Sequence, residues 1–174
     1  MLGKLSAKPL LTRATIAERV EKIAQEIHAF YGCDDFVIVG LMNGVFIFIA
    51  DLARQFAEPK DIAFLKASSY GKAAQSSGVV ELEGLEKIDL HGRRVLLVDD
   101  ILDTGRTLNK VSQALRDKGA IDVEFCVLLD KVSRHEHNIA ARFTGFVIED
   151  LFVVGYGLDY AEKYRNLADV WTVE

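Results

Sequence analysis

Residues 95–98, Val-Leu-Leu-Val, form an unbroken apolar run that stops at two adjacent acids, Asp99 and Asp100. A strand without polar alternation has no face for solvent, so it suits a parallel sheet covered by helices on both sides. Short β-branched runs at 36–41, 62–67, 123–129 and 152–154 suit the same sheet. Helical spacing separates them. In 15–31, Ile16, Val20, Ile23, Ile27 and Phe30 recur every three or four residues, and the spacing returns at 45–56 and 107–118. Thr15 with Glu18 reads as a capping box opening the first helix, and Gly32 as its stop. The alternation predicts an α/β fold, a doubly wound and mainly parallel central sheet flanked by helices.

At 174 residues the chain fits a single domain over 1–174. Half of the residues are hydrophobic (50%) and 27% are charged, the balance of a globular protein that folds on its own. A net charge of -5 with no long Lys/Arg run argues against a nucleic-acid partner, because neutralising phosphates requires a concentrated basic face. The longest uncharged stretch, 36–50, is broken by Gly40, Asn43 and Gly44 and falls short of the roughly 20 residues that span a bilayer. It reads as strand, loop and helix, with no membrane partner. Cys33 and Cys126 cannot build a disulfide framework, and residues 1–9 hold no apolar core of export-signal length, so a cytoplasmic setting is expected. His135 and His137 have no second ligand cluster nearby and read as surface residues rather than a zinc site. Residues 68–78 are rich in Ser, Gly, Ala, Lys and Gln without periodicity, which fits either a lid or a plain surface loop.

The chemistry concentrates after the apolar strand. Ligands of open parallel sheets bind outside the carboxyl ends of the strands, which puts Asp99 and Asp100 at the mouth of a crevice. The turn Asp103-Thr104-Gly105-Arg106-Thr107 then opens a helix whose free N–H groups and positive dipole end suit a phosphate. Gly105 permits close backbone approach, and Thr107 adds a hydroxyl. Capping alone would account for one acid and one threonine, but not for three acids around so small a turn.

Two adjacent acids, two apolar residues, a variable position and Thr-Gly resemble the phosphoribosyl pyrophosphate motif of the type I phosphoribosyltransferase family, a motif shared with the much longer ribose-phosphate pyrophosphokinases. An acid at the variable position, Asp103, resembles the 6-oxopurine branch, the hypoxanthine-guanine enzymes. The resemblance implies a sheet topped by a small hood built from the N- and C-terminal segments. Residues 39–50 are similar to the family's pyrophosphate loop, here Leu41, Met42, Asn43 and Gly44, in which a non-proline cis peptide would fall at Leu41-Met42. Met42 and Asn43 stand where the family commonly has a basic residue, leaving backbone N–H groups to bind pyrophosphate. Ser69 and Tyr70 resemble the Ser-Tyr pair of a closing lid.

Further along, Lys131 is placed as the donor to a purine 6-oxygen, and residues 152–160 are similar to the segment that holds the base. There the resemblance assigns stacking to Phe152, backbone hydrogen bonds to Val153, and Mg²⁺ to Asp159, with Asp99 and Asp100 as further metal candidates. Arg165 falls at a pyrophosphate-binding arginine. It implies transfer of the 5-phosphoribosyl group from phosphoribosyl pyrophosphate to hypoxanthine or guanine, with Asp103 handling the base's proton, Asp99 and Asp100 on the ribose hydroxyls, and a homodimer or homotetramer. The rivals are a xanthine- or pyrimidine-preferring transferase and a non-catalytic phosphoribosyl pyrophosphate-binding regulator. Asp103, Lys131, Asp159 and Arg165 together weigh against the regulator.

Overall fold

The computed structural model describes residues 4–69, 80–136 and 139–173. Helix α1 (Arg13–Tyr31) opens the fold and is followed by strand β1 (Phe36–Met42), helix α2 (Phe46–Ala53), β2 (Ile62–Ser69) and β3 (Val80–Glu83). Then come β4 (Arg94–Leu102), α3 (Arg106–Asp117), β5 (Asp122–Asp130), β6 (Phe143–Val147), β7 (Val153–Val154) and β8 (Trp171–Thr172). Six strands make one sheet in the order β3-β2-β1-β4-β5-β6, parallel except for the β2–β3 pair.

Both faces of this sheet are covered, as the unbroken apolar strands require. Alternate residues along each strand serve opposite layers. Phe36, Ile38, Leu96, Val98, Cys126 and Leu128 pack with α1 and α2, while Val37, Val39, Val95, Leu97, Val123 and Val127 pack with Leu108, Val111 and Leu115 of α3. Each of those side chains, fully withdrawn from water, contributes on the order of 1.5–3 kcal/mol before the entropy of ordering is set against it. Cys126 is fully buried, and burial pushes its thiol well above the ordinary range, so it behaves as an apolar core residue. No helix among the described residues is long and apolar enough to cross a membrane.

Three details differ from the sequence reading. Helix α1 begins earlier, because Thr12 rather than Thr15 is the N-cap and its hydroxyl accepts from the Thr15 N–H at 3.2 Å. At the other end Gly32 takes φ 58° and closes the helix, as expected. Second, 152–154 does not join the main sheet. Strand β7 pairs instead with β8, and bridges from Leu11 to Val170 and from Leu5 to Val173 fasten the N-terminal segment alongside. The Arg13 N–H donates to Asp169 at 2.7 Å, tying the start of α1 to the same segment. Third, no strand was expected at 80–83 or 143–147, although Val-Glu-Leu-Glu of β3 alternates apolar and charged residues over a span of only four. Both lie at the edges of the sheet, where one-sided pairing needs less apolar sequence.

The strand order creates the site. The chain winds outward from β1 through β2 to β3, and outward in the other direction from β4 through β5 to β6, so the connections diverge between β1 and β4. Ladder pairing between these two strands stops at Gly40 opposite Val98, whereas β4 continues beside β5 as far as Leu102 opposite Asp130. The edge of β4 that faces β1 is therefore open from Asp99 onward, at the position where doubly wound sheets place their ligands.

Candidate active site

Asp99 and Asp100 do not end β4, as the sequence suggested, but lie within it and are held by its pairing with β5. With Ile101, Leu102, Asp103, Thr104, Gly105 and Thr107 they line a cavity of about 290 Å³. The Asp100 N–H donates to an Asp99 carboxylate oxygen at 2.9 Å, which keeps the two acids together. Burial, and then the neighbouring Asp100 charge, pushes the Asp99 carboxyl well above the usual carboxylate range. Asp100 is pushed up as well by burial, against the opposing influence of its hydrogen bonds and of Arg165. Two crowded acids of this kind favour a partner that brings positive charge or hydroxyl donors.

Beyond the acids the chain turns into α3 through Gly105 at φ 81°, and no side chain caps the helix. Its first N–H groups are thus oriented for an anion, apart from a long 3.4 Å hydrogen bond from the Arg106 N–H to Thr104. A Cβ on Gly105 would collide with Ile139, so the glycine serves the packing of the turn as well as its conformation. The Arg106 side chain points away to Glu136, 2.5 Å distant, leaving backbone and Thr107 as the turn's donors on this side.

Opposite this turn lies the end of β1. The non-proline cis peptide is at Met42-Asn43, not at Leu41-Met42. β1 stays in regular register with β2 through Met42 opposite Lys66, so the cis bond directly follows the last paired residue of the strand. Leu41 is buried, Met42 half-buried and Asn43 exposed. Gly44 is pressed against the Asp100 carboxylate, leaving no room for a Cβ, and the Gly44 carbonyl in turn abuts Gly157.

The C-terminal segment closes the site from a third side. Arg165 donates to the Gly157 carbonyl at 2.9 Å and pairs with Asp159 at 2.8 Å. The other Asp159 oxygen accepts from the Glu162 N–H at 2.8 Å, so both oxygens of this proposed metal ligand are engaged within the segment. Among the described residues no group of three His, Cys, Asp or Glu side chains is arranged to hold a metal. Phe152 is 53% exposed with its ring edge-on to Tyr160, and Val153 is buried. Tyr156 donates to Asp51 of α2 at 2.6 Å, fastening this segment to the helix that follows the β1 loop. Tyr70 of the expected lid lies outside the described residues, and Ser69 is described only as backbone at the end of β2.

Lys131 is not a surface lysine: only 9% exposed, it sits after β5 with its N–H on the Leu102 carbonyl at 2.9 Å, beside the acidic motif. Its ammonium reaches Asp150 at 3.2 Å. The sequence reading missed two neighbours. Arg134, at the end of the 3-10 turn Val132–Arg134, donates to Asp103 at 3.0 Å and stands 3.7 Å from Asp150. Lys131 and Arg134 lie three residues apart on a turn of that period, a spacing that could have signalled a common side. Nothing in the sequence around Asp150 marks it. His135, expected at the surface, is instead half-buried with its ring 2.7 Å from the buried Asp130 carboxylate, while His137 lies outside the described residues.

Comparison with known proteins agrees with this geometry. The phosphoribosyl transferase domain model matches residues 6–161. The hypoxanthine-guanine phosphoribosyltransferase of Aquifex aeolicus is 44% identical over 168 residues, covering 96% of this chain and 94% of the relative. The hypoxanthine phosphoribosyltransferase of Escherichia coli is 40% identical over 167 residues, covering 94% and 93%. A crystal structure of a Bacillus anthracis hypoxanthine-guanine phosphoribosyltransferase superposes with a TM-score of 0.90 at 34% identity, covering 98% of this chain and all of that one. With the acidic motif, the open edge of β4 and the mainly parallel sheet all in place, the chain belongs to the type I phosphoribosyltransferase family and groups with its hypoxanthine-guanine members.

Proposed function

We propose that this chain transfers the 5-phosphoribosyl group from phosphoribosyl pyrophosphate to hypoxanthine or guanine, yielding the nucleoside 5'-monophosphate and pyrophosphate in purine salvage. The observation that carries the base assignment is the placement of a buried cation, Lys131, beside the turn bearing an acid, Asp103. A 6-oxopurine presents the complement, a carbonyl oxygen and an imidazole N–H. Lys131 donates to the oxygen and Asp103 holds or accepts the proton, as a general base within hydrogen-bond reach would. The exposed ring of Phe152 stacks on the base, and the backbone at Val153 reads its edge.

Residues 103–107 hold the 5'-phosphate through the uncapped start of α3, with Thr104, Gly105, Arg106 and Thr107 forming the turn. Asp99 and Asp100 take the ribose hydroxyls, and their charge offsets the positive charge that develops on the sugar as pyrophosphate leaves. Backbone at Leu41, Met42, Asn43 and Gly44, with Arg165, binds the pyrophosphate. Ser69 and Tyr70 belong to a lid that excludes water from the reacting carbon.

The donor set fits Mg²⁺: it is all oxygen, and the crowded Asp99–Asp100 pair gains from a cation. Those two carboxylates, and Asp159 once it parts from Arg165, would hold the ion together with substrate oxygens and water. When bound there, the ion would supply charge neutralisation for the pyrophosphate leaving group. We further assign a homodimer or homotetramer, because Phe46, Ile62 and Phe64 leave 40–45% of their surface uncovered. The setting we assign is cytoplasmic.

Pyrophosphate release measured with hypoxanthine, guanine and xanthine, with and without Mg²⁺, tests the proposal. Release with the first two and only in the presence of the metal is expected; no release with any base would overturn it. Asp103→Asn is expected to lower turnover by about 10²-fold while base binding is largely kept.

A further inference from the structure

The acceptor and donor proposed for the base are joined by two residues that have no place in the reaction. Asp103 is bound by Arg134 at 3.0 Å, Arg134 stands 3.7 Å from Asp150, and Asp150 is bound by Lys131 at 3.2 Å. Acid, cation, acid and cation alternate, with the two base-reading groups at the ends. The geometry points to Arg134 as a positioning residue that acts through Asp103, with Asp150 as the shared carboxylate that spaces Arg134 from Lys131. This inference rests on the assignment of Asp103 and Lys131 to the base.

Three observations separate positioning from ordinary surface pairing. First, the contact is directional: Arg134 donates through Nε to Oδ1 of Asp103, and among the described residues no hydrogen bond uses the second oxygen. A half-exposed aspartate on a turn would otherwise rotate freely between rotamers and hydrate both oxygens. Fixing one oxygen presents the other. Second, the 3-10 turn carrying Arg134 is fastened to the acidic turn independently of this ion pair. The Glu136 N–H donates to the Thr104 carbonyl at 3.2 Å, Glu136 pairs with Arg106, and the Lys131 N–H holds the Leu102 carbonyl. His135 on Asp130 secures the base of the turn. The guanidinium is therefore delivered to Asp103 by a fixed scaffold. Third, Arg134, Asp103 and Asp150 are each 44–51% exposed, a range in which ion pairs contribute little to stability. A structural account thus predicts almost no effect of removing Arg134, whereas positioning predicts an effect on the base alone.

The test uses the full chain with Arg134→Gln, Arg134→Lys, Asp103→Asn and the Asp103→Asn/Arg134→Gln double variant, with Mg²⁺ present and each substrate varied in turn while the other is saturating. Arg134→Gln is expected to lower kcat/KM for hypoxanthine about tenfold, with KM for phosphoribosyl pyrophosphate within about twofold of the parent and Tm unchanged. Arg134→Lys restores part of the loss, since a point charge keeps the attraction without the Nε direction. In the Asp103→Asn background, Arg134→Gln is expected to cost less than about twofold, because the partner through which it acts is already disabled. Full tenfold losses in both backgrounds would overturn the inference. So would a lower KM for the base at unchanged kcat, which would make Arg134 a competitor for Asp103. Parent-like turnover in Asp103→Asn would remove the role of Asp103 itself, a failure distinguishable from a silent Arg134→Gln in an otherwise sensitive Asp103 background.

Discussion

The ends of β1 and β4 lie side by side at the same crevice and are built on opposite plans. Beyond Val98, β4 carries its chemistry in side chains: Asp99, Asp100 and Asp103 line the cavity, and β5 keeps the backbone beneath them regular. Beyond Met42, β1 carries almost none. Its loop offers Asn43 and Gly44, and what distinguishes it is how closely its backbone approaches other chain: Gly44 on the Asp100 carboxylate, and the Gly44 carbonyl on Gly157. A site made of side chains tolerates adjustment of its backbone, whereas one made of backbone tolerates no added atoms. The contrast can be broken or sharpened by substitution.

The largest effect is expected at Gly157, where a Cβ would run into the Gly44 carbonyl and φ is 102°. Gly157→Ala should cost about 3–4 kcal/mol, seen as a fall of roughly 10 °C in Tm; a change within one degree would show that the β1 loop yields freely. Next comes Gly44→Ala. Its Cβ meets a carboxylate, which can swing aside, so Tm should hold to within a few degrees while kcat/KM falls about 10²-fold as Asp100 leaves its place. Parent-like kinetics would detach the β1 loop from the acid pair.

The acid pair itself should show a smaller effect of opposite sign. The folded-state carboxyl of Asp99 is raised above its unfolded value, so its charge costs stability above the folded value and nothing below the unfolded one. Asp99→Asn is therefore expected to raise Tm at pH 7.5, with the gain vanishing as pH falls toward 4. A gain equal at both pH values would assign it to packing rather than to charge. The smallest effect is expected at Tyr156, whose hydroxyl donates to Asp51 and links the C-terminal segment to α2. Tyr156→Phe should cost about 1 kcal/mol in a denaturant titration, without the activity loss of Gly44→Ala.

The same division runs between what could be read in advance and what could not. Residues 95–107 pointed to the sheet type and to a cavity at the acidic turn, because burial on both faces and a helix start leave direct marks on residue type. The residues proposed for the base, Lys131 and Phe152, and with them Asp159, were singled out through resemblance alone. Arg134 and Asp150 were not, since a charged residue in a polar stretch looks the same whether it meets water or a partner 16 residues away. Residues 152–154 were placed in the wrong sheet for a related reason: an apolar triplet records that it is buried, not against what.

Sequence by itself determined the α/β alternation, the two buried faces of the sheet and the acidic turn that begins α3, all consequences of local pattern and solvent exposure. Tertiary structure alone decided that β4 outruns its pairing with β1, that Gly44 and Gly157 meet, and that Arg134 reaches Asp103. These depend on register and on contacts between segments far apart in the chain, where the attraction of one charge for another, or the room left for one methyl group, is fixed only after the strands have been ordered.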